Sequence, residues 1–167
     1  MRVHFLNVKE GACSVIEHDS GRITVIDICN GNVPITESGK KEASAEGLSA
    51  KQFSDESNPL GNFHQKEHPV CPLNYISKNI PKSQEGIFRF ILTHPDMDHM
   101  DGLEAFFNKF KVYNFWDTPN NKKLDSVGGG YKQSDWDFYQ QIHYPKKVDG
   151  YTILNVEPGA ENVYWNK

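Results

Sequence analysis

The stretch that decides the fold runs from Ile87 to Gly102 and reads IFRFILTHPDMDHMDG. Apart from Arg89, its first six residues are apolar, which predicts a short buried strand. A helix is predicted next, because apolar side chains then recur at the spacing of one helical face: Leu103, Phe106, Phe107 and Phe110. The order of strand, polar loop and helix is typical of an α/β protein, which builds its sites at the carboxyl ends of strands.

The polar loop between them concentrates groups that bind metals or move protons: His94, Asp96, Asp98 and His99. Two imidazoles and two carboxylates are costly to bury unpaired beside an apolar strand. A divalent cation would neutralise the carboxylates and accept the neutral imidazoles as ligands. Mixed nitrogen and oxygen donors suit zinc, manganese or iron better than calcium. The loop therefore predicts a metal site, with zinc as the first choice.

Other readings of the loop fit less well. An EF-hand needs acidic residues or Asn at alternate positions, and Met100 occupies the third of them. An HD-type phosphohydrolase needs His followed by Asp, whereas the order here is Asp98-His99. A solvated turn remains open, and we expect it for Asp101, which would cap the following helix while Glu104 closes a capping box.

The pattern His94-x-Asp96-x-Asp98-His99 resembles the H-x-H-x-D-H signature of the metallo-β-lactamase fold superfamily. Asp96 stands where that signature has its middle His, and the H-x-D-x-D-H form after Thr93 resembles the competence-protein (ComEC-type) branch. The resemblance implies that His94 and Asp96 hold one metal and that Asp98 and His99 hold a second. The Asp in place of His makes a harder metal such as manganese more plausible than in a dizinc site.

The start of the chain predicts a β-meander over residues 2–29, with strands near Val3 and Phe5, over 14–17 and over 22–27. In the resembled family, one such strand ends in an Asp followed by a small residue. Asp27 matches that place, although Ile28 after it is not small. The resemblance implies that Asp27 holds the metal loop through hydrogen bonds without binding metal. An ordinary strand-end Asp entering a turn is the alternative.

Composition predicts one domain over residues 1–167, with a polar insertion over about 31–80. Within that insertion, His64, His68 and Cys71 have the spacing of a partial zinc site, although a polar loop also collects histidines by chance. The net charge of −4 argues against nucleic-acid binding by bulk electrostatics. The three cysteines show no disulfide-framework spacing, and we find neither a signal peptide nor an apolar membrane span, so a cytoplasmic protein is expected.

The rest of the chain predicts a short amphipathic helix near 72–78, a strand over 111–116, a helix over 134–142 capped by Ser134, and a strand over 152–156. Basic and aromatic residues interleave from Lys109 to Lys147; a solvated face is the default reading, and a track for a nucleic-acid backbone is the alternative.

The resembled family places three further ligands, two His and an Asp, in a second half of its fold. Only His143 follows His99, and no ligand loop of Gly and Ser surrounds it. The resemblance therefore implies the N-terminal half of a metallo-β-lactamase αββα fold, an α/β class of the α+β sandwich type with a mixed sheet and helices on one face. A truncated product is the first explanation, ahead of a two-chain protein or a decayed gene. We expect association with the missing half or self-association through an exposed apolar face.

The resemblance implies a metal-dependent hydrolase in which a metal-activated water attacks the substrate and Asp98 orients that water. By likeness to the competence branch, a small-molecule, nucleotide or nucleic-acid phosphodiester is the preferred substrate. A metal-binding or regulatory module without catalysis is the alternative, because the ligand set is incomplete.

Overall fold

The computed structural model describes residues 1–8, 11–31, 69–143 and, for the backbone alone, 152–155. His64, His68 and most of the predicted insertion over 31–80 lie outside the described residues. The strands are β1 Arg2–Phe5, β2 Ser14–Glu17, β3 Ile23–Ile26, β4 Arg89–Ile91, β5 Asn114–Asp117 and β6 Thr152–Asn155. The α-helices are α1 Pro72–Asn79, α2 Met97–Met100, α3 Leu103–Lys109 and α4 Gln133–Ile142, with a 3-10 turn over Pro81–Glu85.

The six strands form one mixed sheet in chain order, β1 to β6. The first three pair antiparallel, as the predicted meander requires. The pairs β3–β4, β4–β5 and β5–β6 are parallel, so each is joined by a crossover. The mixed sheet expected from the sequence is therefore present, and with its helices it forms an α+β arrangement.

One face of the sheet carries a continuous apolar row. Strand register aligns Val15 with Val25, Val25 with Phe90 and Phe90 with Phe115, and all four side chains are fully buried. Helices cover this row, because they present their own apolar faces to it. The Phe90 ring lies 5.2 Å from that of Phe106 in α3.

Two further ring contacts locate α1 beside the sheet and α4 beside α3. His4 aligns with Val15 in the sheet, and its ring lies 5.6 Å from that of Tyr75 in α1. Phe107 of α3 contacts Phe138 of α4 at 5.3 Å. The predicted helices over 72–78, 103–110 and 134–142 thus form; α1 packs beside β1 of the sheet, and α3 packs against α4.

The other face of the sheet differs in chemistry. The guanidinium of Arg89 lies 3.6 Å from the centre of the Trp116 ring, and that of Arg22 lies 4.3 Å from the Phe88 ring. On the edge strand β1, Phe5 is 83% exposed. No helix of the described residues is both long and apolar enough to cross a membrane.

The start of α3 departs from the sequence prediction. Asp101 does not cap the helix, and Glu104 closes no capping box, because Gly102 is the residue before α3. The carboxylate of Asp135, from α4, accepts hydrogen bonds from the backbone N–H groups of Gly102 and Glu104, both at 2.9 Å. A buried acceptor from another helix thus satisfies two of the free donors at the start of α3.

The predicted cap of α4 is also wrong. The helix begins at Gln133, one residue before Ser134, and no side chain caps it at the preceding Lys132. The predicted strand over 111–116 begins later, at Asn114, because Val112 joins Ile87 only through an isolated bridge.

Glycines allow the loop after β3 to pack on the start of α3. Gly102 has φ 98°, and a Cβ built on it would lie 2.5 Å from the Cα of Gly31. A Cβ on Gly11 would lie 1.8 Å from the carbonyl oxygen of Asp98. No side chain fits at either contact. The backbone of Gly31 therefore packs directly on Gly102, and that of Gly11 packs directly on Asp98.

Candidate metal centre

The candidate site lies at the carboxyl edge of the parallel strands. Asp27 follows β3, Thr93 and His94 follow β4 after Leu92, and Asp117 ends β5. Because these strands run in parallel, their ends lie along one edge of the sheet. We call residues 93–101 the histidine loop; α2, which the sequence did not predict, is a single helical turn within it.

Asp27 ties the histidine loop to the end of β3. Its side chain is buried, and its backbone adopts the left-handed conformation, with φ 56°. Oδ1 accepts a hydrogen bond from the N–H of Thr93 at 2.8 Å. Oδ2 accepts hydrogen bonds from the hydroxyl of Thr93 at 2.7 Å and from Nδ1 of His99 at 2.9 Å. A single buried carboxylate therefore orients three groups of the loop.

This hydrogen-bond network assigns the tautomers of both histidines. The only proton on the Thr93 hydroxyl is donated to Asp27, so that oxygen must accept from Nδ1 of His94, 3.0 Å away. Nδ1 of His99 likewise donates to Asp27. Each imidazole thus carries a proton on Nδ1, and in its neutral form it offers the lone pair of Nε2 to a ligand.

The two available Nε2 atoms each face a carboxylate. Nε2 of His94 lies 3.6 Å from Oδ2 of Asp96, and Nε2 of His99 lies 3.6 Å from Oδ2 of Asp98. The centres of the two imidazole rings are 3.8 Å apart. Two ligands of one tetrahedral zinc ion lie about 3.3 Å apart, given bond lengths of about 2.0 Å. Each imidazole–carboxylate pair therefore has a donor spacing and chemistry that fit a divalent metal.

The four predicted ligands come together as two pairs. Among the described residues, no group of three or more His, Cys, Asp or Glu side chains is arranged to hold a metal ion. The chemistry of the donors fits a metal, whereas the residues that the structure describes do not assemble three donors around one point.

Lys122 adds a cation that the sequence analysis did not place here. Its ammonium group forms an ion pair with Oδ1 of Asp96. The hydrogen bond from Lys122 lowers the pKa of Asp96 below its usual value, so this carboxylate remains charged. Asp96 thus has one oxygen directed to Lys122 and the other to His94.

A second network lies at the end of β5. Asp117 is 1% exposed, and its Oδ2 lies 2.5 Å from Nδ1 of His143 and 3.1 Å from the hydroxyl of Tyr139. Burial raises the pKa of Asp117, while the hydrogen bond from His143 acts in the opposite direction. Burial also raises the pKa of Tyr139, so its hydroxyl stays protonated and donates to Asp117.

Sequence reasoning assigned no role to His143 and passed over Asp117. One signal was available, since Asp117 ends a buried strand just as Asp27 does. The partners of Asp117 could not be found in this way, because Tyr139 and His143 lie on and just after α4, more than 20 residues along the chain.

Other candidates of the sequence analysis lie outside this cluster. The carboxylate of Asp101 accepts a hydrogen bond from the backbone N–H of Asn30 at 2.9 Å. The thiol of Cys71, the described member of the suggested zinc trio, lies 3.7 Å from the carbonyl oxygen of Gly31. In the basic and aromatic pattern, Lys111 precedes β5 and Lys122 follows it, so they occupy opposite ends of that strand.

Comparison with protein-family models, with curated proteins and with solved structures finds no match to this chain.

Proposed function

We propose that this chain is a metal-dependent hydrolase of the metallo-β-lactamase type that acts on a phosphodiester. The observation that carries the proposal is the anchoring of Thr93 and His99 by Asp27, which engages Nδ1 of both His94 and His99 in hydrogen bonds and leaves each Nε2 beside a carboxylate. The H-x-D-x-D-H pattern supports it, because it contains these same residues.

His94 and Asp96 would hold one metal, and Asp98 and His99 would hold another. A bound divalent metal, zinc or alternatively manganese or iron, would polarise the scissile bond and lower the pKa of a water molecule. Asp27 keeps both imidazoles in the tautomer that binds metal. Asp98 is 36% exposed at its side chain, so it can reach a water molecule from solvent, orient it and accept its proton.

Hydrolysis of bis(p-nitrophenyl) phosphate tests the proposal. Protein stripped with a chelator is reloaded with zinc, manganese or ferrous iron, and metal content is measured beside activity. We expect Asp98→Asn to lower kcat about 100-fold or more while thermal unfolding stays unchanged. Asp125→Asn is the matched control, because Asp125 is an exposed acid in the loop between β5 and α4. Full activity in Asp98→Asn would contradict the mechanism.

A module that binds metal without catalysis is the second candidate. Two observations favour it: the described residues assemble no group of three donors, and Lys122 already pairs with Asp96. Such a module would bind about one equivalent of metal through one imidazole–carboxylate pair. Metal binding without hydrolysis of phosphodiester, carboxylic ester or thioester substrates would support this candidate over the hydrolase.

A further inference from the structure

Lys122 brings a positive charge to a site that is otherwise rich in carboxylates. Asp27 anchors the histidine loop, and Asp96 and Asp98 belong to it. The proposed metals would offset much of the charge of these carboxylates, and Lys122 adds a further cation that an anionic phosphodiester can contact. Lys122 pairs with Asp96 directly, so its ammonium group lies at the edge of the proposed reaction centre.

The loop that carries Lys122 is held in place by hydrogen bonds. The backbone N–H of Lys122 donates to Oδ1 of Asn120 at 3.1 Å, and the side-chain amide of Asn120 donates to the hydroxyl of Tyr139 at 2.7 Å. Nε2 of His143 lies 3.2 Å from the carbonyl oxygen of Asn120 and therefore donates to it. Tyr139 and His143 both bind the buried Asp117. The end of β5 and the end of α4 thus fix the backbone beside Lys122.

The ammonium group of Lys122 has N–H donors that its contact with Asp96 does not use. A protonated lysine carries three N–H groups. One of them faces Oδ1 of Asp96, and the other two have no partner among the residues that the structure describes. The side chain is 31% exposed, so a ligand can reach it from solvent. Because Oδ2 of Asp96 faces His94 instead, contact with Lys122 leaves that oxygen available.

We propose that Lys122 binds an anionic oxygen of the substrate phosphoryl group, while the network of Asp117, Tyr139, His143 and Asn120 positions it. This inference rests on the proposed function, whose phosphodiester substrate it provides with a binding residue. Lysine is a common phosphate ligand, acting as a point charge with several donors. A partly exposed ion pair with Asp96 would by itself contribute little to stability.

The test compares Lys122→Met with Lys123→Met in the metal-loaded protein. Methionine keeps most of the side-chain volume and removes the charge, and Lys123 is an exposed neighbour. With bis(p-nitrophenyl) phosphate, we expect Lys122→Met to raise KM about tenfold, with kcat changed less than about twofold, because one charge-assisted hydrogen bond to the substrate is lost. Lys123→Met should have the KM of the unchanged protein. Lys122→Arg keeps the charge, so its KM should be much closer to that of the unchanged protein than to that of Lys122→Met.

An unchanged KM in Lys122→Met would overturn the proposal and leave the hydrolase intact. Loss of metal from Lys122→Met would also overturn it, since Lys122 would then act on Asp96 and not on the substrate. If the unchanged protein does not hydrolyse the diester, the proposed function fails. Calorimetric titration with inorganic phosphate then tests whether Lys122 binds an anion. Binding about tenfold weaker in Lys122→Met would then support anion recognition, whereas equal or absent binding would refute it.

Discussion

Oδ2 of Asp27 accepts a hydrogen bond from Nδ1 of His99 at 2.9 Å, across 72 residues of chain. This contact joins the end of an antiparallel meander to the loop that carries the candidate ligands. It also places a proton on Nδ1 of the imidazole, because a carboxylate can only accept. The orientation of the candidate centre therefore depends on a residue that is not itself a proposed ligand.

We expect Asp27→Asn to weaken metal binding about 10- to 100-fold, as is typical when the group that orients a ligating histidine is altered. The amide cannot accept from Thr93 and His99 with both of its terminal atoms, since one of them is a donor. Affinity is measured by titration of zinc into chelator-stripped protein. Asp125→Asn serves as the control, and equal affinity in Asp27→Asn would refute the role of this anchor.

Asp135→Ala should lower the free energy of unfolding by about 2–3 kcal/mol, because it leaves the N–H groups of Gly102 and Glu104 without their acceptor. Asp137→Ala on the exposed side of the same helix should change it by less than about 0.5 kcal/mol. Urea unfolding followed by circular dichroism measures both. Equal effects of the two substitutions would show that the contact between α3 and α4 is dispensable.

Gly102→Ala should destabilise the fold by about 2–4 kcal/mol, since it combines a left-handed backbone with a contact against Gly31. Gly128→Ala is the matched control, because a Cβ there meets no atom within 4 Å. Thermal unfolding of the two variants gives the comparison. If Gly102→Ala is as stable as Gly128→Ala, the backbone at Gly31 can move away from Gly102 without loss of folding free energy.

The buried Asp117 should give stability a distinct dependence on pH. Burial raises its pKa in the folded state, so its contribution to stability is fully present below the unfolded pKa of about 3.9 and is lost as pH rises through the folded pKa. Asp117→Asn does not titrate. The difference in unfolding free energy between this variant and the unchanged protein should therefore move in favour of the variant as pH rises from about 4, the unfolded pKa, through the raised folded pKa.

Urea unfolding at several pH values measures that difference. The opposite trend would show that the pairing of Asp117 with His143 outweighs its burial. His143→Gln provides a second comparison, because it removes the imidazole while leaving Asp117 buried.

Much of the architecture could be predicted from the sequence, because local patterns report on local structure. Alternation of apolar residues placed β1 to β3, and the apolar run before the histidine loop placed β4. Helical spacing of Leu103, Phe106 and Phe110 placed α3. These signals depend only on residues within one element, because the spacing of apolar residues along the chain matches the repeat of the helix or strand that they form.

The resemblance to a metallo-β-lactamase signature singled out the candidate ligands and Asp27 from sequence alone, and their assignment to metal stays a prediction. What the sequence did not provide was their surroundings. The ion pair between Lys122 and Asp96 joins two loops that follow different strands, 26 residues apart in the chain. Only the parallel order of β4 and β5 brings those loops together.

The errors at helix ends have the same origin. A capping box for α3 was expected from Asp101 and Glu104, which are neighbours in sequence, yet Asp135 supplies the acceptor from another helix. The sequence by itself determined which segments become strands and helices and which loop concentrates reactive groups. Tertiary structure alone decided which distant side chains complete each hydrogen bond and ion pair, because those partners depend on strand order and helix packing that no local pattern encodes.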